Sequence, residues 1–316
     1  MEDIYWLLFQ YYKPISPKKL LRIINDLESL EKLFEFPETK AMKLGLTENE
    51  VSQISRLEYI MKYEASIIKF FEELLDEVES HNVSMIKIID KNYPSSLKEI
   101  DDPPLVIFHK GSLSLEKLKH GLAIVGTRNA SFFGRKTARE LASYLASSYT
   151  IISGLARGID TEAHCGALES ANWGGTTLAV LAWMDPIYPG ENEELVRDIL
   201  KHGAIISEVF KKPNERDTNR DYIKSLFIKR DRIISALADA LIVIETGEKG
   251  GTIHAVRFAK KYRKKIFVVE PPPEHFSEKR RSIEGYKLLR QKFNAIKIPS
   301  SVADAAKFIL KSIKLL

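Results

Sequence analysis

The sequence of 316 residues contains little cysteine and no long hydrophobic segment. Its single cysteine, Cys165, excludes an internal disulfide, and no cysteine and histidine residues cluster at the spacing of a metal site. No apolar run approaches the ~20 residues that span a bilayer. The N-terminal residues are acidic where a secretory signal would be basic, so we expect a cytoplasmic protein with no metal, no cofactor and no membrane partner.

Signatures of common nucleotide-binding and hydrolytic enzymes are also missing. The fingerprint G-x-G-x-x-G is absent after the apolar strand at 122–125, and Ser153-Gly154 stands where an acidic ribose ligand would end the next strand. Neither the P-loop pattern nor the nucleophile elbow G-x-S-x-G occurs. Asp160 and His164 share one predicted helix face, but we interpret them as a capping aspartate and a packed or surface histidine rather than an acid–base couple. We therefore expect a protein that is not an enzyme.

The charge of the chain is modestly positive, at a net +5 with 29% charged residues. Lysine and arginine become denser between Lys211 and Arg290. Such a stretch is usually a solvated surface, and it indicates nucleic-acid binding only where a groove collects the charges. The positions of the cations in the fold therefore matter more than their number.

The first 80 residues differ from the rest in the spacing of their apolar residues. Residues 1–80 place apolar side chains at helical spacing, and Thr47 with Glu50 predicts a capping box, so we expect a small all-helical domain of SAM or helix-hairpin-helix type. We interpret it as a packing module. Residues 81–300 form the second predicted domain, and residues 301–316 a final amphipathic helix.

Strands and helices alternate regularly beyond residue 120. The predicted strands cover residues 122–125, 150–153, 177–181, 204–207, 241–245 and 266–269, and the predicted helices cover 134–147, 161–170, 191–202, 229–237 and 251–262. The strands are short continuous apolar runs, as expected when helices cover both faces of a sheet. The pattern predicts a doubly wound, mostly parallel Rossmann-like sheet, with its ligand at the carboxyl ends of the strands.

Turns rich in glycine and hydroxyl residues follow three of these strands, and each turn leads into a helix. The residues predicted for phosphate-binding turns are Gly126, Thr127, Ser131, Gly134, Ser153, Gly154, Gly158, Gly250, Gly251 and Thr252. One cation accompanies each turn: Arg128, Arg157 and Lys249. Backbone N–H groups, a helix N-terminus and a cation suit phosphate, although glycine also simply permits a tight turn. Three coincident turns favour a track for a polyphosphate or a nucleic-acid strand.

A basic and aromatic element, residues 227–232, precedes the fifth strand. Its Lys229, Arg230 and Arg232 can hold phosphates while Phe227 stacks on a base. Alternatively, the element is a solvated helix start in which Asp231 pairs locally. A helix over 229–237 would begin at the edge opposite the strand ends, so only the polar loop at 211–220 could reach the ligand side.

Several motifs of the second region resemble, in order and spacing, those of the DNA-processing protein A family (DprA, also called Smf). The matching segments are Tyr93-Pro94, Gly126-Thr127-Arg128 with Ser131 and Gly134, 153–160 with Ala163-His164, Tyr188-Pro189, Ser207-Glu208, and Phe227 with 230–234. The resemblance covers roughly residues 85–270. Asp231 stands where the family has asparagine and Ile228 where it has proline, and the short charged tail resembles no winged-helix module. The chain is therefore similar to a divergent member.

The resemblance implies a protein of DNA processing that binds single-stranded DNA and forms a homodimer. It further implies delivery of a RecA-type recombinase onto DNA during natural transformation or recombination. It assigns DNA contact to Arg128, Lys229, Arg230 and Arg232, and base stacking to Phe227. Arg157 and Lys249, from the strand-end turns, complete the predicted DNA-binding set.

The alternative is a nucleotide-binding or nucleotide-hydrolysing enzyme or sensor, because the fold resembles that of nucleoside-monophosphate phosphoribohydrolases. Those enzymes carry G-G-x-G-T-x-x-E, whereas Gly250-Gly251-Thr252 lacks the interposed glycine and Ala255 occupies the glutamate position. Without that carboxylate, hydrolysis loses its acid–base group. An interaction scaffold with unused turns is a third interpretation.

Overall fold

The computed structural model describes residues 2–27, 29–35, 38–118, 120–214, 219–277 and 281–313. The chain divides into two compact units, Met1–Phe108 and His109–Leu316.

The first unit is mainly helical. Its helices are α1 (Glu2–Tyr12), α2 (Pro17–Leu27), α3 (Glu38–Lys43), α4 (Glu48–Tyr63), α5 (Ala65–Ser80) and α6 (Ser95–Lys98), with a 3-10 helix at Glu31–Glu35. Its strands are β1 (Ser84–Lys87) and β2 (Val106–Gly111), the latter running across the boundary. The predicted capping box is confirmed, because the Thr47 hydroxyl accepts the Glu50 N–H and the Glu50 carboxylate accepts the Thr47 N–H.

The first unit extends further along the chain than the predicted boundary at residue 80. The side chain of Gln10 donates to the carbonyl of Val106 at 3.0 Å and accepts the N–H of Val106 at 2.7 Å. Lys87 Nζ lies 3.3 Å from Glu2 and 3.1 Å from Asp3. These contacts join β1 and β2 to α1, which is why the segment up to residue 108 belongs with the helices.

The second unit is a wound α/β structure. Its strands are β3 (Gly121–Val125), β4 (Thr150–Ser153), β5 (Thr177–Val180), β6 (Ala204–Ser207), β7 (Ala240–Val243), β8 (Lys265–Val269) and β9 (Ile296–Ile298). Its helices are α7 (Phe132–Ala146), α8 (Ile159–Glu169), α9 (Glu193–His202), α10 (Arg220–Leu237), α11 (Thr252–Lys261), α12 (Pro273–Ser277), α13 (Arg281–Lys292) and α14 (Val302–Ile313). Short 3-10 helices lie at Leu115–Lys117, Ala171–Trp173 and Gly190–Asn192.

The strands of this unit follow the order β6-β5-β4-β3-β7-β8-β9 and pair in parallel from β6 to β9. Apolar side chains of α7, α8 and α14 pack against one face of the sheet, while α10 and α11 contact the strands from the other. Every residue of β3, β4, β5, β6 and β7 is buried, which explains the continuous apolar runs. The predicted doubly wound, mostly parallel sheet is confirmed.

The strand order reverses at β3. The chain moves outward from β3 to β6 and then returns to form β7 on the other side of β3. Ligands of wound sheets bind at such a reversal, beyond the carboxyl ends of the strands. The turns after β3 and β7 therefore border the expected crevice.

Helix α10 begins earlier than the sequence predicted. Its N-cap is Asn219, whose side-chain oxygen accepts the Tyr222 N–H at 2.7 Å, so Phe227 and the basic residues after it lie in mid-helix. A helix of 18 residues is about 27 Å long, whereas the four residues of β7 span about 13 Å. Because the C-terminal end of α10 leads into the start of β7, its N-terminal half extends past the strand ends. The part of the predicted loop at 215–218 lies outside the described residues.

Gly166 allows α8 to approach α7 closely, because a Cβ atom there would lie 2.0 Å from the carbonyl oxygen of Arg139. We expect Gly166→Ala to lower the free energy of unfolding by about 1–3 kcal/mol through overpacking, measured by urea denaturation. The matched control is Gly190→Ala, since the nearest atom to a Cβ at Gly190 is 4.0 Å away. Equal stability of the two variants would contradict this account of the helix contact.

Candidate functional site

A cleft of about 550 Å³ opens where the strand order reverses. Its walls are the turn Gly126–Arg128 after β3, the loop Lys249–Thr252 before α11, and one side of α10. The α10 residues that line it are Lys224, Phe227, Ile228, Arg230, Asp231 and Ile234. The structure thus brings two of the predicted phosphate-binding turns and the basic element to one place.

The turns after β3 and β4 pack directly against each other. Gly158 has a φ of +77°, and a Cβ atom there would lie 2.5 Å from the Thr127 carbonyl oxygen and 2.7 Å from that of Arg128. The N–H of Ile159 donates to the Thr127 carbonyl at 3.3 Å. Only glycine fits both the backbone angle and the close approach.

The buried carboxylate of Asp160 lies beside both of these turns. The backbone N–H groups of Gly126, Gly154 and Ala156 act favourably on it, and the Arg230 guanidinium lies 3.9 Å away. Burial raises the pKa of Asp160, while Arg230 and the three N–H groups oppose that shift. The N–H groups of Gly126 and Gly154, which we predicted to meet phosphate, are therefore directed at a carboxylate of the protein.

Arg230 lies in the floor of the cleft rather than on its rim. The side chain is 7% exposed, and Nη1 would be 1.2 Å from a Cβ atom at Gly154, so this glycine makes room for the guanidinium. Nη1 donates to the Val180 carbonyl at 3.3 Å, and Nε lies 3.2 Å from Asp231. Arg230 thus fixes α10 to the ends of β4 and β5.

Arg232 is held in a similar way on another side of α10. It is 3% exposed, donates to the Glu208 carboxylate at 2.6 Å and donates to the Lys229 carbonyl at 2.8 Å. The structure therefore buries two of the predicted DNA-binding arginines and pairs both with carboxylates. Their direct contact with DNA stays a prediction, and their observed contacts are structural.

N–H groups at the N-terminus of α7 are also hydrogen-bonded within the protein. The Ser131 hydroxyl accepts the Gly134 N–H at 3.0 Å, and the Glu245 carboxylate accepts the Ser131 N–H at 2.9 Å. A Cβ atom at Gly134 would lie 2.3 Å from Glu245 Oε2, so glycine here leaves space for that carboxylate. Ser153 is buried and donates to the Ile124 carbonyl at 2.6 Å. The hydrogen bonds of these three residues are made inside the unit.

The N-terminus of α11 lies at the cleft. Gly250, Gly251 and Thr252 line the cleft, and the N-cap residue Gly251 has no side chain that could cap the helix. Lys249 is exposed beside them. This helix end presents N–H groups and a cation to the cleft, as a phosphate site requires.

Arg128 stands exposed at the centre of the cleft edge. Its guanidinium lies 5.5 Å from the centroid of the Phe227 ring, a cation–π contact that holds a cation over an aromatic surface. Lys229 lies 5.9 Å from the Tyr222 ring. Arg157 is exposed and donates two hydrogen bonds to Glu191, at 2.7 and 2.6 Å.

His164 is buried beneath the turns and is neutral. Burial and the charge of Arg230 lower its pKa to about 3, and Nδ1 lies 2.7 Å from the Thr177 hydroxyl. That hydroxyl donates to the Ile151 carbonyl, so Nδ1 carries the proton of the imidazole. A histidine this deep serves packing, which agrees with the interpretation of Asp160 and His164 as structural residues.

Asp231 places a carboxyl group in the cleft wall beside these cations. Burial raises its pKa to about 7, and the charge of Asp160 also raises it, while Arg230 and Arg128 act in the opposite direction. The sequence motifs already placed Asp231 in the basic element, but sequence reasoning missed Lys224, because the predicted helix began at residue 229 and did not include it. The N-cap Asn219 was the available signal.

A wound parallel sheet whose reversal point collects exposed cations, an aromatic ring and an open helix N-terminus has the chemistry that suits a phosphate-bearing ligand at its strand ends. The profile of the family described as DNA recombination-mediator protein A matches residues 84–304, so the chain belongs to that family of DNA-processing and recombination mediators. This confirms the resemblance seen in the sequence motifs.

Individual relatives agree with this assignment. Protein Smf of Synechocystis is 31% identical over 280 residues, which are 86% of this chain and 66% of that protein. The DNA processing protein DprA of Bacillus subtilis is 33% identical over 208 residues, which are 64% of this chain and 67% of that protein. The chain thus spans about two thirds of the length of these relatives.

Solved structures of the family share the fold. DprA of Streptococcus pneumoniae has a TM-score of 0.73 at 25% identity, covering 98% of this chain and 96% of that one. The Helicobacter pylori protein has a TM-score of 0.60 at 27% identity, covering 73% of this chain and 96% of that one.

Within the described residues, none of the helices combines the length and apolar character needed to cross a bilayer.

Asp231 should make stability depend on pH. Because its pKa is about 7 in the folded state and near 3.8 in the unfolded chain, the folded protein holds a proton that the unfolded chain has released between these values. This contribution to stability is lost as the pH rises through that window. We expect Asp231→Asn, which cannot ionise, to lose less stability than the wild type between pH 5 and pH 8, measured by urea denaturation. Asp221→Asn, on an exposed turn of the same helix, is the control, and parallel profiles for Asp231→Asn and wild type would refute the assignment.

Proposed function

We propose that this chain is a non-catalytic binder of single-stranded DNA that acts in DNA processing and recombination. The observation that carries the proposal is the cleft at the reversal point, where exposed Arg128 over Phe227 faces the uncapped N-terminus of α11. The structure of the Helicobacter pylori relative is described as showing a unique single-stranded DNA binding mode. Family membership and cleft chemistry therefore support the same ligand.

The exposed and the buried cations of the cleft have different roles in this proposal. Lys249 and the N–H groups of Gly251 and Thr252 hold one phosphate, and Arg128 holds a neighbouring phosphate or stacks on a base through its planar guanidinium. Lys224, which lines the cleft, adds positive charge along the path, and Lys229 lies further along the same helix beside Tyr222. Arg230 and Arg232 act as positioning residues that fix α10 and with it Phe227.

A catalytic role is disfavoured by the residues that the cleft presents. Ala255, at the position where the nucleotide hydrolases carry glutamate, lines the cleft and supplies no carboxylate. His164 is neutral and buried, and Asp160 is occupied by three backbone N–H groups and Arg230. Release of free base from AMP or GMP by the purified chain would establish the nucleotide-hydrolase alternative instead.

We further propose that the bound strand is handed to a RecA-type recombinase, that the working form is a homodimer, and that both act in the cytoplasm. These steps rest on family membership. Recombinase filaments should assemble faster on a DNA strand coated with single-strand binding protein when this chain is present. The rate of ATP hydrolysis by the recombinase measures that assembly. Light scattering of the free chain measures the dimer.

The DNA proposal predicts a strong effect of salt and of one arginine. Binding of a fluorescent oligothymidine should weaken steeply as salt rises, because each phosphate contact releases counterions. Arg128→Ala should weaken binding by about 1–3 kcal/mol, as expected for a charge-assisted phosphate contact, and should lower the salt slope by roughly 0.7. Measurements by fluorescence anisotropy from 50 to 300 mM salt, about the physiological range, test both effects.

Arg197→Ala, an exposed arginine on α9 that does not line the cleft, is the matched control and should bind as the wild type does. A salt-independent affinity, equal affinity for duplex DNA, or equal loss in both arginine variants would overturn the placement of the strand in this cleft.

A further inference from the structure

A second, smaller cavity of about 60 Å³ lies beside the cleft. Arg128, Ala156, Phe227 and Arg230 line both spaces, so the two adjoin and share the Arg128–Phe227 pair as a wall. The far side of the small cavity is formed by Tyr188, with Arg157 at its edge. A ligand that follows the cleft past Arg128 therefore arrives at Tyr188.

The groups along this path follow the order of the strands. Lys249 comes after β7, Arg128 after β3, Arg157 after β4 and Tyr188 after β5, and these four strands are successive neighbours in the sheet. Neighbouring strands lie about 4.8 Å apart, so the path from β7 to β5 is about 14 Å long. That length suits an extended chain of several nucleotides better than a single mononucleotide.

Tyr188 is the open surface of a packed aromatic cluster. Its ring centroid lies 5.7 Å from that of Trp183 and 5.9 Å from that of Phe227, which are themselves 5.3 Å apart. Trp183 is 3% exposed, and its indole N–H donates to the Pro186 carbonyl at 2.9 Å, whereas Tyr188 is 51% exposed. The ring is thus supported from behind by fixed neighbours and keeps a large accessible surface. A supported aromatic ring binds a flat partner at little cost in conformational entropy.

The charges around this cavity favour a base over a phosphate. The Arg157 guanidinium is 63% exposed but paired with Glu191 through two hydrogen bonds, so the pair has no net charge. Arginine has five N–H donors, of which these bonds use two, and the others suit the polar edge of a nucleobase. The phosphate-binding groups, in contrast, lie at the β3 and β7 end of the path.

We propose that Tyr188, supported by Trp183 and Phe227 and flanked by Arg157, forms a nucleobase subsite at the end of β5. Tyr188 stacks on one base of the same single DNA strand whose phosphates pass Lys249 and Arg128. This proposal therefore rests on the proposed function. The DNA strand then runs along the carboxyl ends of the β-strands, from β7 towards β5.

Oligothymidines of three to ten nucleotides, each with a single abasic position moved along the strand, test the subsite. In the wild type, one abasic position should weaken binding by about 5-fold to 150-fold, the range for loss of one base–aromatic stack. Tyr188→Ala should show a similar loss with intact DNA and no further loss at that abasic position, whereas Tyr188→Phe and Tyr188→Trp should bind as the wild type does. Tyr144→Ala, an exposed tyrosine near the other end of α7, is the control.

Stacking is also read directly from an oligonucleotide with 2-aminopurine at the same position. Its emission should be quenched by the wild type and by Tyr188→Phe and should recover with Tyr188→Ala; thermal unfolding of each variant shows that the fold is intact. Wild-type affinity and full quenching in a folded Tyr188→Ala variant would overturn the subsite and leave DNA binding in the cleft standing. Failure of the wild type to bind any single strand would instead remove the proposed function itself.

Discussion

The architecture of the site depends on one buried carboxylate. Backbone N–H groups of the turns after both β3 and β4 stabilise the charged form of Asp160, and Arg230 extends the same interaction to α10. Removing one partner of such a buried pair leaves an uncompensated charge and typically costs about 3–5 kcal/mol. The close approach of Gly158 to Thr127 and the position of Phe227 in the cleft wall are geometries that this interaction holds in place. The exposed groups that we propose to bind DNA thus stand on a fixed framework.

Much of the fold could be predicted from the sequence, because the relevant signals are local. Continuous apolar runs such as 122–125 and 266–269 alternate with helical segments, and that pattern leaves few arrangements besides a wound parallel sheet. The capping box at Thr47 was equally readable. Helix α10 was predicted to begin too late, because Asn219 was not recognised as its N-cap. Phe227 was placed at the wrong edge of the sheet for another reason, since a helix that leads into the start of a parallel strand begins near the strand ends.

The site could be predicted only in part, because the same residue types serve two opposite arrangements. A glycine-rich turn with free N–H groups is suited to an external phosphate, and equally to an internal carboxylate that arrives from a distant part of the sequence. Gly154 and Gly134 belong to the second case. The space beside Gly154 is taken by Arg230 and Asp160, and the space beside Gly134 is taken by Glu245. Glu245 lies more than a hundred residues from Ser131, whose N–H it accepts. No spacing in the sequence records such a contact.

The internal carboxylates also bear on where positive charge remains available in the cleft. Asp160 and Glu245 neutralise two helix ends before any ligand arrives, so those turns are rigid, and the attraction for anions is concentrated at Arg128, Lys249 and α11. Asp231 then places a titratable acid among these cations, with a pKa of about 7. A polyanion in the cleft stabilises the protonated form of Asp231, because it removes a repulsion between like charges. Net attraction in this cleft is therefore a balance between a few exposed cations and one neighbouring carboxyl group, and small changes at α10 can alter it.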